Sequence, residues 1–175
     1  MSDELEIRDS VQADAAAIES LYPAAFPQED LLPLVRELMQ DSSIVISLVV
    51  AIDSRIAGHA FFTKCGVAES SIKAALLGPI AVAPVWQRRG IGSAIVHAGL
   101  RRLRDEGIEL VCVLGDPAYY GRLGFVPETL VEPPYLLPTE WSGAWQSQYL
   151  NDTGEHCAGK LVVPRQWLEP ALWAP

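Results

Sequence analysis

The stretch Gln87-Arg88-Arg89-Gly90-Ile91-Gly92-Ser93 sets two arginines directly before two glycines that share one spacer residue. Glycines at 90 and 92 remove side chains where a helix begins, so the free backbone N–H groups of its first turn can converge on an anion. The positive end of the helix dipole and the two guanidinium groups add to the same field. The ligand implied is a phosphate or pyrophosphate. Between Ile80 and Arg104 stand five arginines (Arg88, Arg89, Arg101, Arg102, Arg104) and no acid, in a chain of formal net charge −9. An acidic chain with one basic island suggests a single local anionic ligand. A solvated helix face explains Arg101, Arg102 and Arg104 equally well. It explains Arg88 and Arg89 less well, because they precede the glycine pair.

Three phosphate-binding patterns compete for this segment. A P-loop requires Gly-Lys-Ser/Thr, and no lysine follows these glycines. A dinucleotide-binding turn requires Gly-x-Gly-x-x-Gly, but Ile95 takes the third glycine position. Asp116, after the next strand, imitates that fold's ribose-binding acid. Loop length decides against it: Ala83 to Arg89 separate Val82 from Gly90, whereas a dinucleotide-binding strand runs almost directly into its first glycine. The third pattern fits. Gln-x-x-Gly-x-Gly after a strand and a proline loop resembles the acyl-CoA pyrophosphate loop of the GNAT superfamily of N-acyltransferases. A second segment, Asp116-Pro117-Ala118-Tyr119-Tyr120-Gly121-Arg122-Leu123-Gly124-Phe125, resembles that superfamily's short helix and following strand. Gly58-His59, Leu77-Gly78-Pro79 and Leu114 to Tyr120 are similar to a bacterial, YhbS-like subgroup of acetyltransferases.

The resemblance implies a sheet splayed between its fourth and fifth strands, here Ala74–Val82 and Leu110–Leu114, with the pantetheine arm of acetyl-CoA in the gap. Backbone groups of Ile80, Ala81 and Val82 would pair with that arm, although Ile80 and Val82 also read as core residues on one face. Arg88, Arg89, Gly90, Ile91, Gly92 and Ser93 would hold the pyrophosphate. The implied reaction transfers acetyl to a primary amine of a small molecule or protein by direct attack. Tyr120 aligns with the family's general acid, which protonates the departing thiolate; the competing reading is a ring that packs with its hydroxyl satisfied. A lysine-like amine costs about 4.6 kcal/mol to deprotonate at pH 7. His59 is the candidate base, since its pKa class suits the task and Gly58 leaves room beside it; the competing reading is a structural histidine. Asp116 reads as a helix cap. A non-catalytic acyl-CoA-binding sensor is the alternative function, and Tyr120 favours the enzyme.

These residues need elements to position them. Leu5–Arg8 alternates as a short strand. Val11–Leu21 and Leu31–Met39 carry helical spacing, the first with Asp9 or Ser10 as N-cap and with Pro23 and Pro27 as breaks. Ile44–Ile52 and Ile56–Thr63 flank the turn Asp53-Ser54-Arg55 as an antiparallel hairpin. Ala74–Val82 is an apolar strand, Gly90–Glu106 a helix ended by Gly107, and Leu110–Leu114 a fully apolar strand. Pro117–Leu123 forms a short helix and Gly124-Phe125-Val126 opens another strand. After Pro127 prolines mark loops, and Leu161-Val162-Val163 is the last strand. Trp141, Trp145 and Tyr149 either line an acceptor pocket or pack a loop, with Glu132 and Glu140 available to attract a cation. Together these make one α/β domain of the α+β type on a mixed central sheet, spanning 1–175 with a CoA-binding core at about 76–126.

Composition bounds the partners. The 175 residues, half of them hydrophobic, suit one compact domain. The negative balance argues against nucleic acid, because phosphate neutralisation dominates that affinity. No apolar run reaches the ~20 residues that span a bilayer, and the acidic start lacks an apolar signal core, so a cytoplasmic chain is expected. Cys65, Cys112 and Cys157 are odd in number and widely spaced. Like His59, His97 and His156 they lack ligand spacing, so no metal is expected. The partners expected are acetyl-CoA and an amine acceptor, and a homodimer is one assembly left open.

Overall fold

A computed structural model describes residues 4–151 and 156–174. Its residues divide into two compact units, one running to Phe62 and including Gly78–Gly99, the other comprising Thr63–Leu77 and the chain from Leu100 onward.

The first unit holds β1 (Leu5–Asp9), α1 (Ala15–Ala25), α2 (Leu32–Met39) and β2 (Val45–Ile52). It also holds most of β3 (Arg55–Val67), the end of β4 (Lys73–Val82) and the first part of α3 (Ile91–Asp105). Its strand order is β1-β2-β3-β4, and β1 pairs antiparallel with β2 from Leu5↔Ile52 to Asp9↔Leu48. The β2–β3 hairpin turns on Asp53 and Ser54, at φ 49° and 68°. Two consecutive left-handed residues make the type I′ connection whose twist suits a two-residue hairpin. β2 is buried on both faces except at Ser47, so its β-branched run reads as continuous rather than alternating. Ile18, Val35 and Leu38 from the first two helices and Ile95 and Val96 from α3 complete this core.

Two expectations for α1 differ from the structure. The helix runs to Ala25 with Pro23 inside it, and Phe26 N still donates to Tyr22 O. Proline removes only its own N–H bond, and so close to the C-terminal end the helix tolerates that loss. Neither Asp9 nor Ser10 caps the start: a 3-10 turn at Gln12–Asp14 precedes α1, and the Asp14 carboxylate accepts from Val11 N at 2.7 Å.

In the second unit β4 pairs parallel with β5 (Leu110–Leu114) from Ala74↔Leu110 to Leu77↔Val113. β5 in turn pairs antiparallel with β8 (Trp145–Tyr149), and β8 with β6 (Val126–Pro127). The short β7 (Val131–Glu132) and β9 (Gly159–Val162) run parallel to each other, and β9 pairs with the end of β3. α3 ends where Gly107 adopts φ 85°; Ile108 N then donates back to Leu103 O, a glycine-dependent C-terminal motif. α4 (Pro117–Gly121) follows β5. The fold is mixed α/β, mainly antiparallel, with parallel pairs β4–β5 and β7–β9 among the described residues and helices flanking the strands. Among the described residues no helix is long and apolar enough to cross a membrane, and no group of three or more His, Cys, Asp or Glu could hold a metal ion.

Candidate active site

The loop from β4 to α3 is built residue by residue. After Val82 the chain makes a 3-10 turn at Pro84–Trp86, extends at Gln87 and adopts left-handed conformations at Arg88 (φ 62°) and Gly90 (φ 79°). A left-handed arginine costs on the order of 1 kcal/mol, and such outliers concentrate where function requires them. Gln87 closes the loop, its Nε2 donating to Val82 O at 3.0 Å. Arg89 lays its guanidinium over the Trp86 ring, 5.1 Å from the centroid, which orders the cation without neutralising it. Ala94 N makes the first helical bond, to Gly90 O. The N–H groups of Ile91, Gly92 and Ser93 therefore precede any i→i−4 partner and face out of the helix end. Arg88 and Arg89 are exposed beside them. This donor set suits a pyrophosphate.

On β4, Ala81 is the residue committed to the core, while Ile80 and Val82 are only half-buried. Strand alternation thus reverses the expectation that Ile80 and Val82 form the buried face. It leaves those two partly open beside the loop.

His59 lies on β3 with no exposure, and both its nitrogens are engaged. Nδ1 is 2.7 Å from the Tyr22 hydroxyl and Nε2 is 2.8 Å from Ser47 Oγ. Burial pulls its pKa down to about 3 against the weaker opposing field of Asp14. Neither nitrogen has a lone pair or proton open to a substrate. His97 is exposed on α3.

In the second unit α4 starts at Asp116, which caps it by accepting from Ala118 N at 3.0 Å. The turn carries Tyr120 half-buried, its ring edge-on to Tyr119 at 4.9 Å and to Phe125 at 5.7 Å. It also lies over Gly115, where an added Cβ would collide with Cε2. The ring is fixed, yet its hydroxyl has no hydrogen-bond partner among the described residues. Desolvation first, then Tyr119 and Asp116, push its pKa well above the ordinary phenol value. A neutral, uncommitted O–H is what a proton donor requires. Trp145 is core: it is buried, donates from Nε1 to Val131 O at 2.8 Å and meets Trp173 edge-on. Trp141 and Tyr149 are half-buried, and Glu132 and Glu140 are exposed.

Two features escaped the sequence reading. One is Tyr22, the partner of His59. The other is a cavity of about 280 Å³ at the α1–α2 connection, lined by Tyr22, Phe26, Gln28, Glu29, Asp30 and Leu32 among others. The signal available was an acid pair between two prolines, Pro27 and Pro33, which reads equally well as an ordinary surface loop.

Residues 15–125 match the acetyltransferase (GNAT) family. The uncharacterized N-acetyltransferase YjhQ of Escherichia coli K12 is 32% identical over 147 residues, 79% of this chain and 81% of that protein. The crystal structure of the GNAT family N-acetyltransferase YhbS from Escherichia coli in complex with CoA aligns with a TM-score of 0.84. That alignment covers 97% of this chain and 94% of that one at 24% identity, a likeness of fold. A GNAT family acetyltransferase from Brucella melitensis in complex with acetyl-CoA aligns at 0.75 and 25% identity, over 94% of this chain and 98% of that one. With the family match covering well over half of its residues, the chain belongs to the GNAT acetyltransferase family.

Proposed function

We propose that this chain transfers an acetyl group from acetyl-CoA to a primary amine by direct attack. The observation that carries the reading is the start of α3, where three free N–H groups stand beside two exposed arginines after a Gln87-closed loop. Those groups would hold the pyrophosphate, and the backbone of Ile80, Ala81 and Val82 would take the pantetheine arm. The amine nitrogen bonds to the thioester carbonyl carbon, the C–S bond breaks, and the thiolate takes a proton from the Tyr120 hydroxyl. The attacking nitrogen's proton leaves to solvent, and solvent returns a proton to the Tyr120 phenolate. The fit to the cosubstrate is chemical: acetyl-CoA is anionic at one end and presents amide groups along its arm. The cavity bearing the exposed Glu29 and Asp30 suits a cationic acceptor, since two carboxylates beside apolar walls attract an ammonium group.

Acetyl-CoA turnover against an amine library, read as free thiol, tests this. Amine-dependent thiol release with acetylated product is the expected result. Tight acetyl-CoA binding with no turnover on any amine would favour an acyl-CoA-binding module.

A further inference from the structure

Four hydrogen bonds run unbroken through the interior of the first unit. Ser10 Oγ lies 2.7 Å from Ser47 Oγ, which lies 2.8 Å from His59 Nε2. His59 Nδ1 lies 2.7 Å from the Tyr22 hydroxyl, and that hydroxyl donates to the Pro79 carbonyl at 3.0 Å. The series begins just after β1, crosses β2 and β3, passes to α1 and ends on β4. His59 and Tyr22 are buried, so water cannot replace these partners.

The hydrogens give the series a direction. Tyr22 has one hydroxyl hydrogen and spends it on Pro79, so the bond to His59 must take its hydrogen from Nδ1. Nε2 is then bare and accepts from Ser47, whose oxygen accepts in turn from Ser10. Only the Nδ1–H tautomer satisfies all four bonds. Phe61 closes the imidazole edge-on at 4.3 Å. The charged group whose field reaches the ring is Asp14, itself ion-paired with Arg8 at 2.7 Å. The ring stays neutral because burial outweighs that field.

The series ends on β4 at the Pro79 carbonyl, which accepts from the Tyr22 hydroxyl. Pro79 has no N–H, and Gly78 before it sits at φ 133°, away from strand conformation. Immediately beyond lie Ile80, Ala81 and Val82. We propose that Ser10, Ser47, His59 and Tyr22 form a buried positioning device that fixes the Pro79 carbonyl and thereby the backbone that takes the pantetheine arm. This rests on the acyl-CoA reading given above. His59 acts through Tyr22 and is a positioning residue; it neither touches substrate nor exchanges a proton.

Three substitutions in the full chain test the device. Tyr22→Phe deletes the bond to Pro79 and should raise the acetyl-CoA Kd and KM about tenfold while kcat at saturation holds. His59→Gln keeps an amide donor for Tyr22 and a carbonyl acceptor for Ser47 but cannot titrate. It should retain acetyl-CoA affinity, kcat and the parent pH profile. Ser47→Ala, at the far end and half-exposed, should weaken acetyl-CoA binding in the same direction by about threefold, and it stands in if Tyr22→Phe does not fold. In the parent, ¹⁵N NMR of the imidazole should show a protonated Nδ1 and a bare Nε2 throughout about pH 5 to 8, where an ordinary histidine titrates. A His59→Gln variant that binds acetyl-CoA normally but loses turnover would make His59 a base and overturn the proposal. So would parent-like acetyl-CoA affinity in both Tyr22→Phe and Ser47→Ala, or an imidazole that titrates in that range. The two failures are distinguishable: a parent that does not bind acetyl-CoA sinks the acyl-CoA reading itself, whereas parent binding left unmoved by these substitutions sinks the device alone.

Discussion

Gly92 stands at the second position of α3 with no side chain between its N–H and solvent, and Arg88 and Arg89 are exposed beside it. Gly92→Asp would add a carboxylate where phosphates are expected to sit, so acetyl-CoA affinity by calorimetry should fall at least ~100-fold, the scale of one buried like-charge contact. Affinity equal to the parent would remove the loop from the site. Tyr120 calls for a different measurement, because a donor used only as thiolate departs contributes to the transition state and not to ground-state binding. Tyr120→Phe should lower kcat by about 10²–10⁴-fold with acetyl-CoA Kd nearly unchanged. An unchanged kcat, with chemistry shown to be rate-limiting, would remove Tyr120 from the mechanism. The local structure around both residues, the start of α3 and the Asp116-capped turn, was legible in the sequence because each lies within a dozen residues of what defines it. Tyr22 was not, because its partner His59 is 37 residues away and no spacing rule links them.

At the scale of elements, periodicity exposed α3 and β5 almost to the residue, since a long amphipathic helix and a fully buried strand write their burial into composition. β8 left no such mark. Its sequence Trp-Gln-Ser-Gln-Tyr is polar, yet Gln146 and Ser147 are buried because the strand lies between β5 and β6. Their burial depends on neighbours: Ser147 Oγ donates to Glu128 at 2.6 Å. Two element contacts make predictions. Gly99 of α3 meets the Phe62 ring of β3 so closely that an added Cβ would collide with Cζ. Alanine gains about 1 kcal/mol of helix propensity, but the fully buried Phe62 has nowhere to move, and overpacking costs about 1–3 kcal/mol. Gly99→Ala should therefore lower Tm by several degrees; an unchanged or higher Tm would show that the interior yields. The second contact ties β1 to the start of α1. Arg8 forks onto Asp14 at 2.7 and 3.0 Å, and that hydrogen bond, the backbone donor Val11 and the guanidinium charge hold the carboxyl below its usual range. A depressed carboxylate pKa contributes stability above its unfolded value and loses it as pH falls through the folded one. With Arg8 a third exposed, Asp14→Asn should cost about 1–2 kcal/mol at neutral pH, and the gap to the parent should close below about pH 4. A gap independent of pH would assign the loss to the Val11 bond alone.

Across the whole chain the net charge of −9 and the arginines between Ile80 and Arg104 pointed to one anionic ligand, an inference that needed no fold. The stretch after Pro127 was far less readable, because prolines broke its periodicity and its aromatics admitted two uses. Within the second unit the structure joins one of those aromatics, Trp145, to two further tryptophans, Trp167 and Trp173. Trp145 meets Trp173 at 5.8 Å and Trp173 meets Trp167 at 6.0 Å, both edge-on. Each indole N–H has its acceptor: Trp145 on Val131 O, Trp173 on Trp167 O and Trp167 on Thr63 Oγ1. All three rings are buried, so they act as the clasp that closes the C-terminal segment over the strands of this unit. A pocket residue and a clasp residue fail in different ways. Removing a pocket ring changes amine kinetics and leaves the melting temperature alone, whereas removing a clasp ring opens a cavity and orphans a carbonyl. Trp145→Ala and Trp173→Ala should each destabilise the protein by about 3–5 kcal/mol, read as a lower denaturant midpoint at constant slope. Turnover per folded molecule should stay close to the parent value. If either variant keeps the parent's midpoint while amine KM rises, the ring lines the acceptor site and the clasp is wrong.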